Sequence, residues 1–198
     1  AVQTQGSDLM LRSSIPYESP ADLVGLTIAT YQRGSIQDTI LRTWLEENGV
    51  DPEDVDIKGM GPGDATTAIS AGQIDGVLLP DPYPAIIIAD GTGRTVVQSG
   101  EMMKDHACCV LVVSGSLIRE HPDMVEQIVK THIKATDYNY EHLDEAAELY
   151  SRKTGQDLAT MKRSFEIWDG TWTADPRIIV PSVVEYTDLQ YKLGYITK

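Results

Sequence analysis

A chain of 198 residues with 41% hydrophobic content can bury one sizeable domain or two small ones, which excludes a disordered polypeptide. The formal net charge is −14 and the pI near 4.5, so the surface repels phosphate backbones and anionic headgroups and excludes nucleic acid and the bilayer surface as bulk partners. The two cysteines, Cys108 and Cys109, are adjacent, which excludes a disulfide framework, and no apolar run approaches the roughly 18 residues of a spanning helix.

In chain order, residues 7–13 read as a strand, and Ser19 with Pro20 after it reads as a helix start. Residues 26–30 form a second strand. From 36 to 48 the apolar residues Ile36, Ile40, Leu41, Trp44 and Leu45 recur at helical spacing, and Gly49 ends the run. The unit then repeats: a strand at 55–57, a helix-opening loop at 61–64, a helix at 65–71 and an apolar strand at 74–79. The loop Pro80-Asp81-Pro82-Tyr83-Pro84 leads to an apolar segment at 85–89, a turn at 90–93 and a strand at 95–98. Such alternation predicts a mostly parallel sheet covered on both faces, an α/β fold.

After the β-prone run 107–114 the chain turns helical, with helices predicted at 123–140, 144–153, 157–168 and 181–193 and a loop at 169–176. The α/β unit at 19–105 supplies no evident sheet for the strands 7–13 and 107–114. Strands with unpaired edges are a liability, so another chain or a longer parent is expected to cover them.

The loop Gln32-Arg33-Gly34-Ser35-Ile36-Gln37 lies between a strand and a helix. The first amides of a helix have no intrahelical partner, and Gly34 permits a tight turn, so a polar or anionic ligand can dock there with help from Ser35 and Gln37. The alternative is that Ser35 caps the helix and Asp38 complements its dipole, and the residues alone leave both open. There is no Walker loop and no GxGxxG, which disfavours nucleotides. His106 beside Cys108 and Cys109 suggests a thiol nucleophile, but strand neighbours diverge in direction and no orienting carboxylate is assignable. His121, His132 and His142, and the acidic pairs Glu46-Glu47 and Asp144-Glu145, read as solvated helix faces; no metal site is expected. Tyr83 and Trp172, aromatic residues in turn-rich loops, read as pocket lining, whereas Trp168 ends an amphipathic helix and reads as core.

The helix-opening GSIQD, AGQIDG ahead of an apolar strand, and HPDMVEQIVKTH after a hinge strand together resemble solute-binding proteins of the nitrate/sulfonate/bicarbonate (taurine and alkanesulfonate) ABC import systems. The resemblance covers nearly the whole chain. It implies a periplasmic-binding-protein-like (type II) fold of two α/β lobes with ligand between them. Residues 19–105 match a complete second lobe, and 1–18 with 106–198 match the later part of the first, whose opening portion is expected to be missing. It further implies that residues 32–37 face the cleft, that Asp81, Pro82 and Tyr83 lie opposite, and that Gly6-Ser7 and His106-Ala107-Cys108 sit at the lobe crossings, with Trp172 near the rim. The implied function is capture of a small anionic or polar solute by hinge closure, with a membrane permease as partner, no cofactor and no catalysis. The extracytoplasmic location is implied by the resemblance alone, since residues 1–15 lack the features of a signal peptide. Two rivals share the fold class or ligand-binding role: thiamine-pyrimidine precursor proteins, some of them enzymes with a cysteine-rich segment, and ligand-sensing regulatory domains.

Overall fold

The computed structural model describes residues 2–197. Strands β1 (Val2–Thr4) and β2 (Ser7–Arg12) are separated only by Gln5 and Gly6. A 3-10 turn at Pro20–Leu23 leads to β3 (Thr27–Thr30), α1 (Ile36–Glu47), β4 (Asp56–Gly59), α2 (Pro62–Ser70), β5 (Gly76–Pro80), α3 (Tyr83–Ala89) and β6 (Gly93–Gln98). A one-turn helix α4 (Ser99–Met102) carries the chain to β7 (Ala107–Val110). There follow helices α5 (Gly115–Glu120), α6 (Pro122–Glu141), α7 (Leu143–Thr154) and α8 (Leu158–Ile167), then the short strand β8 (Thr171–Thr173). Helix α9 (Val180–Lys192) follows.

The larger sheet has the order β4-β3-β5-β2-β6. β3 pairs in parallel with β4 and β5, while β2 runs antiparallel to both β5 and β6. The mostly parallel sheet expected from the alternation is therefore mixed, with one reversed strand inside it, between β5 and the edge strand β6. Strand 7–13, expected to lack partners, is that strand: Leu9 faces Leu78 on one side and Val97 on the other. The sheet thus draws on a strand ahead of the boundary expected at residue 19. The reason is that β2 carries apolar side chains on both faces, which only a central strand buries.

Those faces feed two cores. Leu9, Leu11, Ile28 and Leu78 pack against Leu41, Trp44 and Leu45 of α1, and Met10, Ala29, Val77 and Leu79 pack against Ala65 and Ile69 of α2 and Ile87 of α3. Full burial of each large side chain is worth roughly 1.5–3 kcal/mol, so α1 is held chiefly by this stripe. Gly76 lets β5 close on β2, since a Cβ there would lie 2.5 Å from the Met10 carbonyl oxygen.

The smaller sheet, β7-β1-β8, is antiparallel. The run expected as a strand over 107–114 leaves the sheet after Val110, and the loop expected at 169–176 contains β8 instead. The helical half buries little. Among the described residues, the buried hydrophobic residues beyond 106 are Ala107, Ala147, Met161 and Ile179 alone, while every exposed large hydrophobic except Val24 and Ile88 lies at or after Val110. α9 folds back onto α1: Gln190 Nε2 and Tyr186 Oη donate to the Gly34 carbonyl, each at 3.1 Å, and Lys192 pairs with Glu46 at 2.8 Å.

Candidate functional site

The start of α1 is closed by its own side chains. Ser35 Oγ accepts the Asp38 amide at 3.3 Å, and Asp38 Oδ2 accepts the Gly34 amide at 2.9 Å, where Gly34 takes a φ of 82°. Asp38 also receives Tyr195 Oη and pairs with Arg42. Gln37 is 5% exposed and donates through Nε2 to Ser7 Oγ at 3.1 Å, while the Ser7 amide donates to Ser99 Oγ at the same distance. Gln37 and Ser7 are thus brought together as a strut between α1 and β2. Gln32 is exposed and Ile36 half-buried against the larger core. This arrangement gives Ser35 and Asp38 the capping roles that the residues alone left open.

A second group gathers around half-buried Tyr31. Its phenol is raised from the ordinary value by burial, and by the nearness of Tyr83, Cys108, Cys109 and Tyr150. The two thiols lie 3.9 Å apart. The contact with Cys108 lowers the exposed Cys109 thiol to about 7, and the contact with Cys109 together with burial raises Cys108. His106 is 1% exposed; its Nδ1 faces the Ala107 carbonyl at 3.2 Å and burial lowers its pKa, while Nε2 has no partner among the described residues. Among the described residues no hydrogen bond joins either thiol to the imidazole.

The third region spans the crossings between the sheets. Asp169, in the loop after α8, accepts the Gly6 amide through Oδ1 at 2.8 Å and the Gly100 amide through Oδ2 at 2.9 Å, and Gln5 Nε2 donates to its carbonyl at 2.8 Å. Asp81 follows β5. Its amide donates to the Gly6 carbonyl at 3.1 Å, Ser164 Oγ donates to its Oδ1 at 2.9 Å, and its Oδ2 is shielded and unpartnered among the described residues. Burial pushes the Asp81 carboxyl up to about 7, with Asp8 and Asp169 adding to the rise. Asp8, 1% exposed on β2, is pushed up to about 6 by burial against the opposing bond from Thr95 Oγ1 at 2.6 Å.

Beside Asp81 opens a cavity of about 470 Å³, walled by Pro82, Tyr150, Phe165, Trp168 and Trp172. Trp172 stands 4.9 Å from Trp168 and 5.6 Å from Phe165, centroid to centroid, and its amide donates to Tyr140 Oη at 2.7 Å. Of the residues expected at the site, Asp81 and Trp172 share this cavity, Tyr83 and Cys108 meet around Tyr31, and Ser7 and Gln37 bond to each other. Gly34 and Ser35 lie under α9. Sequence reasoning missed Asp8, Asp169 and Tyr31 and placed Trp168 in the core. An acidic residue inside an apolar strand, as in SDLML, was the legible signal for Asp8.

The model of the NMT1-like family matches residues 11–152. A putative aliphatic sulfonates-binding protein of Bacillus subtilis (strain 168) is 31% identical over 145 residues, 73% of this chain and 43% of that protein. The ligand-binding component of an ABC-type import system from Staphylococcus aureus superposes with a TM-score of 0.84 at 19% identity, over 98% of this chain and 66% of that one. A desulfurization enzyme, DSZB, superposes with a TM-score of 0.68 at 17% identity, over 100% and 72%. The fold is therefore that of periplasmic solute-binding proteins, as the resemblance implied, and it carries both binding and catalysis. The chain spans less than half the length of the B. subtilis relative it matches.

Proposed function

The chain belongs to the NMT1-like family, and from that membership we propose that it is the solute-capturing component of an ABC importer, working outside the cytoplasm and delivering a small polar solute to a membrane permease. The observation that carries this reading is the cavity at the sheet crossings. One wall, Asp81 and Pro82, follows β5 of the larger sheet, and the others come from β1, α6, α7, α8 with Trp168 just after it, and β8. A solute touching both walls favours the closed arrangement over an open one, and the permease reads the closed shape. Residues 19–105 together with β2 then form the second lobe, and 106–198 with β1 part of the first. The uncovered apolar residues after Val110 fit a first lobe completed by further residues of the same polypeptide. Binding without turnover accords with His106 being bonded away from the thiols.

The test is a thermal-shift panel of alkanesulfonates, nitrate, bicarbonate and amines on the purified chain. A ligand at 100 times its Kd stabilises by about 2.7 kcal/mol, a readily measured rise in Tm. Stabilisation by a member of the panel, recovered unchanged afterwards, is the expected result. No stabilisation by any member, or conversion of a member to product, sinks the proposal.

A further inference from the structure

We propose that Cys108 and Cys109 form a redox-responsive dithiol: Cys109 attacks a low-molecular-weight disulfide such as oxidised glutathione, and Cys108 then displaces the adduct to close a reversible Cys108–Cys109 bond. The site lies outside the cavity beside Asp81 and does not depend on the solute-binding reading.

Adjacent residues on a regular strand project to opposite faces, which holds two neighbouring thiols apart. β7 is not regular at this point. In its pairing with β1, Cys109 faces Gln3 and Ala107 faces Thr4, so Cys108 is an extra residue with no counterpart across the ladder. A bulge of this kind bends the strand and re-aims its side chains. The divergence expected of strand neighbours is thereby undone, and the two sulfurs stand 3.9 Å apart. β7 is also an edge of its sheet, with β1 on one side and no strand on the other. Cys109 is exposed and Cys108 half-buried, so a small disulfide arriving from solvent meets Cys109 first.

The surroundings divide the roles. The contact with Cys108 lowers the Cys109 thiol to about 7, so its thiolate, the nucleophilic form, is present at neutral pH. The contact with Cys109, burial and the charge of Asp169 together hold Cys108 as the thiol. An accessible thiol of low pKa beside a second cysteine is the arrangement that senses oxidants. Among the described residues no group of three or more His, Cys, Asp or Glu is placed to hold a metal ion, so thiol–disulfide exchange, not chelation, is the chemistry the pair supports.

In the first step the Cys109 thiolate attacks one sulfur of RSSR, giving Cys109–S–SR and releasing RS⁻. In the second, the Cys108 sulfur attacks the Cys109 sulfur, its proton passes to the departing RS⁻, and RSH leaves. The protein is oxidised by two electrons and the small disulfide is reduced to two thiols. Consecutive Cα atoms lie about 3.8 Å apart across a trans peptide, short of the roughly 4.4–6.8 Å that a disulfide usually spans, so the closed ring is strained and readily reduced again. The pair is therefore a switch and not a structural crosslink.

The test is intact-mass spectrometry of the reduced chain in oxidised glutathione at neutral pH, on acid-quenched samples. The parent is expected to pass through an adduct of one glutathione to a monomer two hydrogens lighter, which dithiothreitol returns to the starting mass. Cys108→Ser is expected to stop at a stable single adduct. Cys109→Ser is expected to react at least about tenfold more slowly than Cys108→Ser, because less of the remaining thiol is ionised. Circular dichroism checks that both variants fold, and in urea, where the bulge is gone, the two are expected to react alike. A parent that ends as a single or double adduct, as a disulfide-linked dimer or unreacted overturns the proposal. So does a folded Cys109→Ser variant as fast as Cys108→Ser, or a rate difference that survives in urea.

Discussion

Asp169 Oδ1 accepts the Gly6 amide at 2.8 Å, fastening the loop after α8 to the two-residue link between the sheets. The other oxygen holds Gly100 at the return crossing, so one carboxylate ties both passages of the chain. Hydrogen bonds to charged groups contribute about 1.5–3 kcal/mol each. Asp169→Ala is accordingly expected to lower the urea unfolding free energy by about 3 kcal/mol. Asp169→Asn, with one acceptor left, is expected to fall between it and the parent chain. An alanine variant as stable as the parent would show that the tie contributes nothing.

Gly6 also lies against Trp168. Its φ is 87°, and a Cβ added there would stand 1.9 Å from Trp168 Nε1. Gly25 has a similar φ of 80° with nothing within 4 Å, so it isolates the backbone cost from the steric one. Gly25→Ala is expected to cost about 1 kcal/mol, the range for a non-glycine residue held in the left-handed region. Gly6→Ala is expected to cost clearly more and to change the near-UV circular dichroism of the tryptophans, which Gly25→Ala leaves alone.

Asp8 gives the chain a pH dependence of known sign. Its carboxyl is raised from 3.8 to about 6, so the folded state favours the protonated form. The stability it supplies is present below the unfolded value and is lost as pH rises from about 4 through 6. Asp8→Asn mimics the protonated form and preserves an acceptor for Thr95. Measured against the parent by urea unfolding, the variant is expected to show no gain at pH 4 and a gain of about 3 kcal/mol at pH 8, from 1.36 kcal/mol per pKa unit. A constant difference across that range would contradict the assignment.

Gln190 is 7% exposed and its Nε2 reaches the Gly34 carbonyl, Thr39 Oγ1 and Tyr186 Oη. Gln190→Ala leaves those groups with fewer partners beneath α9. The expected loss is about 1–3 kcal/mol, the range for stranded buried polar groups. Hydrogen exchange should locate it: amides of α9 and the first turn of α1 are expected to exchange faster, with β2 and β5 unchanged.

The longer helices of this chain were readable, because their apolar stripes and stop signals are local, whereas 85–89 read only as an apolar segment and neither α4 nor α5 was expected. α1 ends beside Gly49 and α7 at Gly155, both with positive φ, as the sequence reading placed them. The place of β2 was not readable. Its partners lie more than 60 residues away, and a run such as LML is equally consistent with an edge or a centre until its neighbours are known. The site divides on the same ground. Ser35 as cap and Asp81 as cavity wall follow from short-range loop chemistry, whereas the meeting of Asp8, Asp81 and Asp169 depends on three distant stretches of chain and leaves no local trace.

The reversed strand β2 also fixes an order of events during synthesis. β3, β4 and β5 can pair with one another as soon as residue 80 is made, using connections of ordinary length. β2 precedes all of them, yet its second neighbour, β6, is finished only at Gln98. A strand made before both of its neighbours is therefore enclosed only after the second of them, and Leu9, Met10 and Leu11 wait exposed while the sheet assembles around the gap they will fill. In that interval this segment is the one a holding chaperone would grip.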